Sequence, residues 1–131
     1  MIKKLIPILL IGLPILFSCK HDPPVDPPPP VMNVITPLPD TVMQYQNGDT
    51  IHMVADLSDA DALHEAFVYV RDSVDTFFTY EPYVHDLQSF HIDTFWVVSG
   101  MSLPSPGFVT FIAENHHEKV TQINRPMYLL P

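Results

Sequence analysis

From residue 34 to the C terminus, short segments rich in β-branched and aromatic residues alternate with clusters of turn formers, and no stretch holds its apolar residues at a helical period. A chain with that rhythm buries its side chains by alternating them across strands, so the pattern points to an all-β fold. The expected strands span residues 34–36, 41–45, 50–57, 66–71, 76–80, 90–98, 107–114 and 120–129. Asn47-Gly48-Asp49 supplies the turn that leads into the third. In that strand Ile51, Met53, Ala55 and Leu57 alternate with Thr50, His52, Val54 and Asp56, which buries one face and wets the other. The segments 66–70 and 108–112 are apolar on both faces, as central strands covered on both sides are. Irregular stretches such as 99–106 break the rhythm of a closed barrel, so the expected architecture is a small two-sheet sandwich over residues 40–131. The alternative is a small open sheet carrying one helix at residues 61–67.

Ahead of this domain, residues 21–39 hold eight prolines, with Pro27 to Pro30 unbroken. Consecutive prolines favour an extended polyproline II chain of about 3.1 Å per residue, so residues 19–39 read as a semi-rigid spacer without a core of its own. At the N terminus, Lys3 and Lys4 precede an apolar run over residues 5–17 that is interrupted by Pro7 and Pro14. This is the layout of a signal peptide, whereas a membrane-spanning helix needs about twenty apolar residues. The run ends in Leu16-Phe17-Ser18-Cys19, which resembles the lipobox of bacterial lipoproteins, with an aliphatic residue three before the cysteine and a small one just before it. The resemblance implies that residues 1–18 are removed and that Cys19 carries acyl chains, which in the plural hold a protein durably at a membrane. Lys20, where some lipoproteins carry a retaining aspartate, points by the same resemblance to the outer membrane. Cys19 is the one cysteine in the chain, so an intramolecular disulfide is excluded.

Removing 18 of 131 residues leaves 113, enough for one small domain and a tail. The loss of Lys3 and Lys4 leaves four cationic side chains, Lys20, Arg71, Lys119 and Arg125, against fifteen carboxylates, a net charge of −11 with neutral histidines. Such a surface repels phosphate backbones and excludes nucleic acid as a partner.

Gly48-Asp49-Thr50-Ile51-His52 leading to Leu57-Ser58-Asp59 and Leu63, followed by Gly107-Phe108-Val109-Thr110-Phe111, resembles the Ig-like or cadherin-like domains of bacterial surface lipoproteins, several families of which have no assigned function. The likeness covers residues 47–128. Those families follow the second strand with an aspartate and a Gly-Asn turn, where this chain has Glu114-Asn115-His116-His117-Glu118-Lys119. Ig connectivity would bring the loops after the 50–57 and 107–114 strands to one end, so that Asp56, Asp59, Asp61, Glu114, Asn115, His116 and His117 converge. Carboxylates and an amide suit calcium, and the adjacent histidines suit zinc or copper. Turns are also rich in Asp and Asn because these residues satisfy local backbone groups, so the first expectation for these loops is plain turns without any cofactor.

The histidines of the domain, His52, His64, His85, His91, His116 and His117, show no zinc-site spacing. His85 with Asp86, and His91 with Asp93, could orient an imidazole, but neither pair has a nucleophile of recognisable signature beside it. No enzyme is therefore expected. Most aromatics between Phe67 and Trp96 are assigned to the core, while Tyr80-Glu81-Pro82-Tyr83 is a loop whose rings could meet a glycan or protein. The sequence thus describes a lipid-anchored, non-catalytic binding or structural domain of the cell envelope, with an envelope protein or glycan as partner, or alternatively a divalent-metal-binding one.

Overall fold

Each of the eight expected strands forms in the structure, a computed structural model that describes residues 25–39 and 41–131. They are β1 (Val31–Thr36), β2 (Met43–Gln46), β3 (Thr50–Ser58), β4 (Leu63–Arg71), β5 (Thr76–Tyr80), β6 (Ser89–Val97), β7 (Ser105–Asn115) and β8 (Val120–Leu130). The signal peptide and Cys19 lie outside the described residues. A three-stranded sheet of order β1-β3-β6 packs against a five-stranded sheet of order β2-β8-β7-β4-β5. The pairs are antiparallel except β2 with β8, and the chain changes sheet at every connection but β4–β5 and β7–β8.

The core lies between the sheets. Ile51, Met53, Ala55 and Leu57 point inward from β3, as their alternation requires, and Ile92 joins them from β6. Facing them are Leu63, Ala66, Val68 and Val70 of β4, Val109, Phe111 and Ala113 of β7, and Met127 and Leu129 of β8.

Three expectations are corrected. Residues 61–67 do not start a helix, because from Leu63 the chain enters β4 and pairs in register with β7. The spacer ends earlier than residue 39: residues 31–36 contain no proline, form the edge strand β1 against β3, and bury Val34 in the core. Finally, β4 and β7 are covered on one face only. A two-layer sandwich has no third layer, so their outer face is shielded by its own aromatics, with the Phe67 and Tyr69 rings stacked at a centroid distance of 5.8 Å while Phe108 stays exposed. The aromatics divide accordingly: Phe111 fills the core, and Phe77, Phe78, Tyr80, Phe90 and Trp96 pack at its margin.

Candidate metal centre at one end of the sandwich

Leu63 fastens three segments together. Its N–H donates to Leu87 O at 2.8 Å and its carbonyl accepts from the N–H of Asp86 at 3.0 Å, which holds the β5–β6 loop against the start of β4. Val84, 1% exposed, anchors that loop in the core, and the Leu87 N–H closes a turn onto Val84 O. Directly after Leu63 the ladder slips: Leu63 opposes Asn115 and Glu65 opposes Glu114, leaving His64 as the extra residue of a bulge. A bulge re-aims the side chain it inserts.

The β7–β8 turn brings the third segment. Asn115 is fully buried and spends its whole amide there: Oδ1 accepts the N–H groups of His117 and Lys119, and Nδ2 donates to Pro28 O and to Asp59 Oδ2. The turn so held presents His116.

These constraints gather His64, His85 and His116, whose potential ligand nitrogens all lie within 4.8 Å of one another. The ring centroids form a nearly equilateral triangle, 5.0 Å for His64–His85, 5.1 Å for His64–His116 and 4.8 Å for His85–His116, with the rings edge to face. Their side chains are 39%, 39% and 33% exposed, so the cluster sits at the surface with access from solvent. His64 Nδ1 is nonetheless buried and finds no hydrogen-bond partner among the described residues. Buried polar atoms are nearly always paired, and an imidazole nitrogen left unpaired can take up a hydrogen-bond donor or a cation when it is deprotonated. Carboxylates flank the triangle: Asp86 Oδ1 is 2.9 Å from His116 Nε2, Asp86 Oδ2 is 3.7 Å from His85 Nε2, and Glu65 Oε1 is 3.8 Å from His64 Nε2. His64 and His85 also line a cleft of about 340 Å³ with Glu65, Glu81 and Tyr83. Tyr83 is 83% exposed, with its ring centroid 6.5 Å from that of His85.

The seven residues expected to converge are distributed unevenly. Asp59, Asp61, Asn115, His116 and His117 do meet at this end, through the Asn115–Asp59 bond and a 3.9 Å approach of His117 Nε2 to Asp61 Oδ2. Asp56 does not: it lies on the outer face of β3, opposite His91, and bonds it at 2.7 Å. Glu114 stands in register with Glu65 on β7, ahead of the turn. The Asp59 oxygens are turned to protein donors, Oδ1 to the N–H of Asp61 and Oδ2 to Asn115. The expected His–Asp pairs are rearranged too, since His91 takes Asp56 rather than Asp93, and Asp86 lies closer to His116 than to His85. Sequence spacing reached His116 but missed His64 and His85. These lie on different elements, and the lone hint was the adjacency of Asp86 to His85. No protein-family model matches the chain, and no curated protein sequence does.

Proposed function

We propose that this chain is a lipid-anchored protein of the bacterial cell envelope whose Ig-like sandwich is a non-catalytic module binding a divalent transition metal. The observation that carries the reading is the triangle of His64, His85 and His116 with its orphaned buried nitrogen. Imidazole is a borderline donor that suits zinc, copper, nickel and cobalt. Calcium instead takes six to eight oxygens, and the oxygens of Asp59 and Asn115 already accept N–H groups. The strand order supports the Ig-like reading, with β1, β3 and β6 in the places of strands A, B and E, and β2, β8, β7, β4 and β5 in those of A′, G, F, C and C′. The envelope address rests on the lipobox-like Leu16 to Cys19 and the proline-rich run behind it.

Thermal melts of the full chain in detergent test the metal. A ligand bound only by the folded state adds about 2.7 kcal/mol at a hundredfold excess over its dissociation constant, equivalent to about 10 °C or more for a domain of this size. Zinc is expected to give that shift in wild type and not in His64→Ala or His116→Ala, and calcium to give none. An equal response to calcium, or a zinc shift that survives both substitutions, rejects the reading.

A further inference from the structure

We infer that Asp86 is the fourth ligand of this centre, so that the chain holds its ion in a closed set of three histidines and one carboxylate. The inference rests on the metal-binding reading above and adds the coordination number and the class of ion. In a tetrahedral site with bonds of about 2.0–2.1 Å, neighbouring donor atoms stand roughly 3.3 Å apart. Asp86 Oδ1 is hydrogen-bonded to His116 Nε2 at 2.9 Å, and its other oxygen, Oδ2, stands 3.7 Å from His85 Nε2. A single carboxylate thus already spans two of the three imidazoles. Glu65 approaches His64 alone, at 3.8 Å.

The backbone points the same way. Asp86 has φ = +66°, a left-handed conformation uncommon outside glycine, and its N–H is committed to Leu63 O. Aspartate tolerates that conformation, and here the carboxylate stands beside His116 and His85. The fourth position is thereby filled from the protein, one unit of the ion's charge is neutralised, and no place is left for a substrate. Structural zinc sites are closed in this manner, whereas catalytic ones keep a position open. With nitrogen and oxygen donors and no thiolate, the set suits zinc or cobalt(II).

Cobalt(II) is the probe, because four-coordinate cobalt gives intense visible bands. The full chain in detergent is expected to show those bands and to leave them unchanged when azide is added. Asparagine tolerates the left-handed backbone, so Asp86→Asn is the variant of choice, and Asp86→Gly is the second. Both are expected to bind cobalt at least roughly 10-fold more weakly and to give bands that azide now shifts. Azide-sensitive bands in the wild type, an unaltered Asp86→Asn, or a loss confined to Glu65→Gln overturns the fourth-ligand assignment while leaving the three-histidine site standing. Absence of cobalt bands in the wild type removes the site itself, and this inference with it.

Discussion

Thr110 and Asp72 illustrate opposite fates of a polar side chain. Thr110 is fully buried on β7 opposite Tyr69, and its hydroxyl has no partner among the described residues. A desolvated hydroxyl left unpaired costs on the order of 1–3 kcal/mol, so Thr110→Val, which keeps the shape and removes the polar atom, is expected to raise stability by about 1 kcal/mol in urea unfolding. Asp72 is satisfied several times over. Its Oδ1 accepts the N–H groups of Val74 and Asp75 at 2.7 Å, and its Oδ2 accepts the Ser105 hydroxyl at 2.8 Å. Backbone donation from Asp75 and Val74, followed by the Ser105 bond, holds its carboxyl below the usual aspartate value. With the folded-state value depressed, the contribution to stability is fully present above the ordinary range of about 3.9 and is lost as pH falls through the lower, folded value. The stability difference between wild type and Asp72→Asn is therefore expected to stay constant near neutrality and to narrow on acidification, as followed by melts between neutral and acid pH. A difference that widened in acid would contradict the assignment.

Among elements, the β7–β8 turn binds the most distant parts of the chain. Besides holding Pro28 and Asp59 through Asn115, this hairpin accepts the incoming segment through Thr121, whose hydroxyl donates to Pro30 O, and through Lys119, which pairs with Asp26 at 2.8 Å. The surface ion pair adds little, but a fully buried amide with four bonds is another matter. Asn115→Ala leaves Asp59, Pro28 O and two backbone N–H groups without their partner, and is expected to cost about 3 kcal/mol in denaturant unfolding. A loss below about 0.5 kcal/mol would show that water replaces the amide at no cost. The sequence offered Asn115 as an oxygen ligand because asparagine in an acidic loop is chemically able to be one. Its burial, which decides that it is a structural joint, arises only when β7, β8 and the incoming segment close around it. His64 was illegible for a related reason: a bulge is a property of two strands in register, and β4 alone gives no sign of it.

For the whole molecule, the lipid anchor implied by Leu16 to Cys19 predicts that the wild-type protein sediments with membranes, and that Cys19→Ala shifts it to the soluble fraction with the melting temperature of the domain unchanged. Wild type and variant partitioning alike would remove the anchor from the account. Several properties follow from the sequence by itself: an all-β class, the inward face of β3, the turn at Gly48, and a large excess of carboxylates over cationic side chains. Each depends on residue chemistry over a few neighbours, where side-chain alternation and backbone freedom act directly. The tertiary structure alone decided that residues 31–36 join the small sheet, that the outer faces of β4 and β7 stay half open, and that His64, His85 and His116 meet. Those outcomes depend on which strands become neighbours. Long-range pairing is set by the summed burial of a whole core, and no local run of residues encodes it.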